Sequence, residues 1–544
     1  MKPIIAIYEG HDCNVSVYDP KSDQIIVYEL EKMFGHKHFN HKDYPDNILQ
    51  NCYRKVLRHL KMWYNIDNDF DKVVYKCDIY SGLAKAEKEK ALKRQPIQFS
   101  SSHLFEGELV ITNVNHHDLH AWCGYMQSPF EKTAVLCWDG VGDDTAFRYV
   151  DIDNGKITYT QNRVQYMYSF VYEWFGRAFK SLEHTENDLD VAGKMMALSA
   201  YGKEDRPLVD NIKKTIRDVC DFTLVPVKRS PIHPLRMLKI NVDDRIGLAG
   251  RIDKPGEDFK YSRAIQTVLQ EDIVDILKAE YEDHIRDNDN NLIITGGTAL
   301  NILANEEIRK AFPDVDVYIP PNCNDVGLSV GMLAEYIDTT KKYNLNFAGP
   351  LLLDYNQMQT YLDARDYEIV TVQDIADMLN DNLIVGICQD NLEVGPRALG
   401  NRSILCNASN PKMKDMLNAT VKFREWFRPF APACIEEEAQ KYFETTSFKH
   451  MDCMQFVAHV KEEYQAQLSS ITHFDNTARL QIVGEENKRF YNILKAFDGV
   501  LINTSFNVQG KPILNSIEEA LNVLDNTGLD AVVILHEGTY YKFT

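Results

Sequence analysis

The sequence predicts an α/β protein, and three observations carry that prediction. Short apolar runs such as Lys132-Thr-Ala-Val-Leu-Cys-Trp and Asn291-Leu-Ile-Ile-Thr end in a carboxylate or glycine, as buried strands do where they reach a sheet edge. Polar loops and stretches with helical spacing follow such runs, and this alternation recurs along the chain. The 544 residues are 44% hydrophobic and 26% charged, ordinary globular values for a chain long enough for two to four domains.

Charge and cysteine usage narrow the class. A net charge of −20 argues against non-specific adhesion to nucleic acid or anionic membrane, which needs excess Lys and Arg, though it permits a local basic pocket. Eleven cysteines, scattered from Cys13 to Cys453 with no C-x-x-C pair, read as reduced core thiols. The chain starts directly on a strand-like run, without a signal peptide, and no apolar stretch approaches the ~20 residues of a membrane span. The expectation is a soluble, cytoplasmic protein.

Pro3 to Gly10 is an apolar run closed by glycine, and Val15–Tyr18 and Gln24–Leu30 alternate like two further strands. Three strands and a small polar loop at Gly10 resemble the opening hairpins of the actin-like ATPase fold. Gly35-His-Lys-His-Phe-Asn-His41 is too polar for core and reads as a loop. Asp46 to Trp63 has helical spacing with Asp46 as N-cap, and residues 84–95 form a charged, solvated helix. Gly140 to Asp144 is a tight acidic loop before a strand at Thr145–Val150. Helices are expected over Ser169–Phe179, Asp188–Leu198 and Tyr261–Ile285, with a strand at Asp316–Ile319 and a helix from Val326 to Ile337. Periodicity fades between Asp338 and Asn356, which places a boundary between residues 1–350 and 351–544. Beyond it, Leu383–Cys388 and Gly499–Ile502 read as strands, and Pro411–Asn418 and Ile517–Leu524 as helices. No internal repeat is visible.

Three stretches carry chemistry. In Asn115-His-His-Asp-Leu-His120, His116 and His120 are four apart, so a helix stacks both imidazoles on one face within reach of one metal ion. Such pairs are common on helices without any metal, and His117 in place of glutamate excludes the zinc-protease form. Asp139 at its strand end and Asp325 at the next helix start would complete an N₂O₂ set suited to iron or zinc, although an aspartate there also serves as a plain N-cap. The double glycine Gly296-Gly297 lets a nucleotide approach the backbone, or is only a strand–helix turn. Between Arg397 and Arg428, seven Lys or Arg face Asp415 and Glu425, a +5 island interleaved with Phe423, Trp426 and Phe427. Lys422 and Arg424, alternating as on a strand, and Ser505 and Asn507, alternating likewise, suit a nucleotide held beside a small phosphate.

These residues carry a family resemblance. His11-Asp12, the Asn115–His120 turn, Asp139-Gly140, Gly193 to Gly202, Gly296 to Asn301 and Asp325 resemble the first domain of the NodU/CmcH carbamoyltransferases. Gly395-Pro-Arg-Ala-Leu-Gly-Asn-Arg402, Lys422 to Pro432, Thr477-Ala-Arg479 and Asn503 to Asn507 resemble the second. The resemblance implies an actin-like (ASKHA) N-terminal domain and a YrdC-like α/β C-terminal domain. It implies that carbamoyl phosphate and ATP, with Mg for the ATP, form a carbamoyl-adenylate whose carbamoyl group passes to an acceptor hydroxyl. By motif, His116, His120, Asp139 and Asp325 would hold iron(II), or zinc or manganese in its place. Lys422, Arg424, Ser505 and Asn507 would form the activation site, with Gly296, Gly297, Asn301, Arg397, Arg402 and Arg428 as binding positions. His11 is the candidate base, against the ordinary reading of a satisfied loop histidine.

Competing readings are a tRNA threonylcarbamoyl-type transferase and a non-catalytic actin-like nucleotide-binding module. The fused second domain and the acidic charge weigh against the first, and the retained Lys422, Arg424, Ser505 and Asn507 against the second. The acceptor is left open among an antibiotic, a sugar or lipooligosaccharide hydroxyl and a hydroxymethylated pyrimidine in nucleotide or DNA, as is a monomeric or homodimeric state. A sheltered passage between the two sites is expected, because water would waste an adenylate.

Overall fold

The computed structural model of the protein describes residues 2–77, 99–142, 145–163, 172, 175–185, 187–223 and 256–544. The first half holds two five-stranded sheets. Strands β1 (Ile4–Glu9), β2 (Asn14–Asp19), β3 (Gln24–Glu29), β4 (Asp69–Cys77) and β5 (Glu106–Ile111) lie in the order β3-β2-β1-β4-β5. Strands β6 (Lys132–Gly142), β7 (Thr145–Asp153), β8 (Lys156–Arg163), β9 (Asn291–Thr295) and β10 (Asp316–Tyr318) lie in the order β10-β9-β6-β7-β8. Read from its own first strand, each sheet is the same object: an antiparallel three-strand meander, with two parallel strands added on the other side. This is the actin-like arrangement. The fold therefore contains the internal repeat that the sequence hides, because topology constrains the apolar pattern and not residue identity.

Both faces of β1 are covered, which explains its unbroken apolar run. Ile5 and Ile7 pack with Leu49, Tyr53 and Val56 of the helix Asp46–Tyr64. Ile4, Ala6 and Tyr8 pack on the other side with Leu119, Cys123 and Met126. Those three belong to the helix His116–Gln127, whose Ala121 and Tyr125 pack against Val135, Cys137 and Ile293 of the second sheet. This helix is thus wedged between the two sheets, and Asn115 caps it by accepting from the His117 amide at 2.9 Å. The helix at Asp46 begins differently from expectation: Pro45 is the N-cap and makes no side-chain cap bond, so Asp46 is the first helical residue.

Residues 336–354 carry no helix or strand. Beyond them lie β11 (Glu368–Val370), β12 (Val385–Cys388), β13 (Arg402–Asn407), β14 (Ala431–Cys434), β15 (Phe443–Glu444), β16 (Ala458–Val460), β17 (Thr477–Ala478), β18 (Gln481–Ile482), β19 (Leu501–Ser505), β20 (Ala531–His536) and β21 (Thr539–Phe543). Eight of them form a mixed sheet, β11-β21-β20-β12-β13-β19-β14-β18, and β15, β16 and β17 a small second one. The two halves are firmly joined. Fully buried Lys32 donates to the Glu393 and Gly395 carbonyls at 2.9 and 2.6 Å, and Glu29 accepts from the Gly395 amide at 2.8 Å. Gly395 has φ +93°, and a Cβ there would meet the Pro321 carbonyl oxygen at 2.1 Å. That position must be glycine for the halves to approach this closely.

The helix expected at Ser169–Phe179, the segment 84–95, the pair Asp143-Asp144 and much of 205–260 fall wholly or partly outside the described residues. Among the described residues no helix is long and apolar enough to cross a membrane, and ten of the eleven cysteines are free and buried.

Candidate metal centre and cation pocket

His116 and His120, one turn apart, point their Nε2 atoms at each other across 3.2 Å. The His116 Nε2 lies 3.2 Å from Asp139 Oδ2 and 3.4 Å from Asp325 Oδ1, and the His120 Nε2 lies 3.4 and 3.3 Å from the same two oxygens. Asp139 comes from β6 and Asp325 from the short turn Asp325–Gly327. A regular tetrahedron with such edges has its centre about 2.0 Å from each corner, the usual metal-to-nitrogen and metal-to-oxygen distance. Two buried nitrogens and two carboxylate oxygens converging on one point fit a divalent cation. Their other atoms are anchored. Asp139 Oδ1 accepts from the Gly140 and Gly297 amides at 2.7 and 3.1 Å, and Asp325 Oδ2 accepts from the Tyr8 hydroxyl at 3.1 Å. Burial alone would raise the Asp139 carboxyl, but hydrogen bonds from His116 and His120 hold it well below the usual carboxylate range.

His11 stands beside this centre, with 46% of its side chain exposed. Its Nδ1 lies 2.9 Å from Asp12 and its Nε2 3.3 Å from Asp325 Oδ2. Burial disfavours its charge, yet Asp325 and Asp12 raise it to about 10. A carboxylate faces each ring nitrogen, which favours the doubly protonated imidazolium, so His11 serves as a base only after giving up one of these two protons.

The second site gathers cations. Lys422, 4% exposed, donates to the carbonyls of Ser505 and Asn507 at 2.8 and 2.9 Å and to the Asn507 side-chain oxygen at 2.5 Å. Ser505 Oγ also donates to Asn507 Oδ1 at 2.8 Å, so these three residues meet as the sequence pattern required. They do so without the expected strand. Asn418–Lys422 is a helical turn, and Phe423, at φ +48°, swings Arg424 round to the same side. Arg424 stacks over Phe430 and donates to the Pro429 carbonyl at 3.0 Å. Burial, then the Arg428 charge, pushes Arg424 down to about 9. Burial does the same to Arg397, down to about 10, with the Arg428 charge adding to the shift. Burial, then Arg424 and Arg428, lower Lys422 well below its ordinary value. Arg479 is lowered well below its ordinary value by burial and by Arg397, Arg424 and Arg428. The Nε atoms of Arg397 and Arg479 are buried without a partner among the described residues. A cluster of like charges with orphaned donors fits an anionic ligand.

One cavity of about 670 Å³ is lined by residues of both sites, His11, Asp139 and Asp325 of the first and Arg397, Arg424 and Arg479 of the second. Its residues come from both halves of the chain, and both halves match one family. The description Carbamoyltransferase N-terminus covers residues 36–333, and Carbamoyltransferase C-terminus covers 376–539. The chain belongs to the carbamoyltransferase family. An uncharacterised protein of Methanocaldococcus jannaschii is 28% identical to this carbamoyltransferase, over 90% of this chain and 81% of that protein. Nodulation protein NolO of Bradyrhizobium diazoefficiens is 28% identical over 77% of this chain and 78% of its own. Nodulation protein U of Azorhizobium caulinodans is 24% identical over 94% of each. Among solved structures, full-length HypF in its phosphate- and nucleotide-bound form matches 61% of this chain and 55% of its own, at 12% identity and a TM-score of 0.32.

Several expected binding positions of this carbamoyltransferase fall elsewhere. Arg402 is fully buried away from the cavity, its guanidinium donating to the carbonyls of Gln389, Asp390 and Asn401 at 2.7 to 3.0 Å. Its charge is used to hold a loop. Gly296 has φ +90° and lies against β6, where a Cβ would meet the Trp138 carbonyl oxygen at 2.3 Å; its role is close packing. Gly297 and Asn301 do line the cavity, but the Gly297 amide holds Asp139, and Asn301 caps its helix and bonds Gln266 at 3.0 Å. Conversely, Arg479 belongs with the cations although only its motif, and no charge run, marks it in the sequence.

Proposed function

We propose that this carbamoyltransferase is an ATP-dependent O-carbamoyltransferase working at the two ends of the cavity. Water cleaves carbamoyl phosphate to carbamate and phosphate, and a carbamate oxygen attacks the α-phosphorus of ATP. Pyrophosphate leaves and carbamoyl-adenylate remains. The acceptor hydroxyl then attacks the carbamoyl carbon, AMP departs with the electron pair of the broken C–O bond, and the hydroxyl proton passes to solvent.

The observation that carries this reading is the cavity itself, whose lining includes both a cluster of cations and two carboxylates of a four-donor centre. Two polyanionic substrates repel each other, and Arg397, Arg424, Arg428, Arg479 and Lys422 offset that repulsion in a site of reduced dielectric. Ser505 and Asn507 hold the Lys422 ammonium in place. His116, His120, Asp139 and Asp325 would hold iron(II) or another divalent ion, and when bound it supplies Lewis-acid polarisation of the carbamoyl carbonyl.

The test is labelled pyrophosphate exchange into ATP. Exchange that depends on carbamoyl phosphate, and AMP release with a +43 Da product once an acceptor is supplied, are the expected results. A purified, metal-loaded protein with no such exchange and no AMP would sink the proposal.

A further inference from the structure

The histidine-rich stretch Gly35–His41 has no part in the chemistry above, yet it reaches the cavity wall. His38 stands at φ +53° with its amide donating to Glu31 at 2.8 Å. Its Nδ1 lies 2.9 Å from Asp12 Oδ1, and its Nε2 lies 3.5 Å from Asp190 Oδ1. Lys37 pairs with the same Asp190 oxygen. Asp12 is also left-handed, at φ +58°, and its second oxygen is the one that meets His11. The result is an unbroken line of alternating carboxylates and imidazoles: Asp325, His11, Asp12, His38, Asp190.

Three separate segments meet along this line: the β1–β2 turn, the loop after β3, and the turn that opens the helix Val191–Ser199. Two non-glycine residues in the left-handed region face each other through one hydrogen bond of 2.9 Å, a pairing of backbone states that the surrounding contacts must hold. Asn14 supplies part of that constraint, its side-chain amide donating to the carbonyls of Asp12 and Asp325 at 2.7 and 2.9 Å. Loop fastening alone would not require the line to end on the ring beside the four-donor centre.

We propose that Asp12, His38 and Asp190 are positioning residues that fix the His11 ring against Asp325, so that the acceptor hydroxyl meets a single orientation of that ring. This rests on the transfer step proposed above. The arm acts on the second half-reaction, and adenylate formation is read separately from it.

The experiment uses the full-length, metal-loaded protein with ATP and carbamoyl phosphate, water serving as the probe acceptor. Pyrophosphate exchange reads the first half-reaction, and carbamoyl-phosphate-dependent AMP release reads the second. His38→Ala is expected to lower AMP release at saturation by about 10-fold or more, with exchange, the KM for ATP and bound metal unchanged. His38→Asn, whose amide still donates to Asp12, should recover most of the loss. Asp190→Asn, a milder change that serves if His38→Ala fails to fold, should cost about threefold, the weaker effect expected of its longer contact. Wild-type AMP release in His38→Ala and Asp190→Asn, an asparagine variant no better than alanine, or exchange falling in step with AMP release would each overturn the inference. If the wild type shows no exchange, the proposed function fails instead. A crystal structure of His38→Ala then decides the positioning, and a His11 ring still bonded to both Asp12 and Asp325 overturns it.

Discussion

In one site two imidazoles face two carboxylates; in the other, four arginines gather near Lys422, with Glu425 shared between Lys194 and Arg428. The first set has its outer atoms anchored by backbone amides and Tyr8, and its inner atoms leave room for one small cation. The second has donors without acceptors and depressed affinities for protons. The difference teaches that ligand class follows from what each cluster lacks. Two carboxylate charges lack two positive ones, and a cationic cluster lacks a polyanion.

Breaking one end should leave the other working. The largest effect is expected from Asp325→Ala, which removes a donor and also frees His11: bound metal after gel filtration, measured by atomic emission, should fall to background, with pyrophosphate exchange retained. Lys422→Ala should do the reverse, lowering exchange by about 10²–10³-fold with metal content unchanged. Parallel loss of both properties in either variant would show that the ends are not independent. A finer probe is Tyr8→Phe, which removes one outer hydrogen bond from Asp325 and should weaken metal affinity by about 10-fold, read by competition with a chelating dye.

The smallest expected effect concerns the cation end through His473, which lines the cavity there. Burial lowers its imidazole to about 4, with Arg479 and Lys414 adding to the shift. The unfolded chain then binds a proton near pH 6.5 that the folded chain does not take up until about pH 4, so stability falls as pH drops through that window. His473→Gln should flatten this part of a denaturation-versus-pH profile, and an unchanged slope would remove His473 from the account.

Much of the metal end was legible in the sequence, because helical spacing alone puts His116 and His120 on one face and short apolar runs mark where Asp139 and Asp325 emerge. The cation end was less so. Charge density located Lys422, Arg424 and Arg428, but density does not say where a guanidinium points, and Arg402 turns inward to backbone carbonyls. Arg479 lies fifty residues beyond the island, brought in only by tertiary folding. The sheet duplication was invisible for a related reason: strand order is set by long-range pairing, which local periodicity does not record. The parts of His38 and Asp12 depend on positive φ angles at non-glycine residues, which no residue pattern announces.

The ammonium of Lys32, sealed between the halves against the Glu393 and Gly395 carbonyls, carries a practical corollary. A gene fragment starting near residue 351 would lose that cation and the Pro321 seat beneath Gly395, leaving the Gly395-Pro396-Arg397 loop unsupported. Arg397 would then lose its fixed place among the cations, so the C-terminal half, although it owns all five, is built to be shaped by its neighbour.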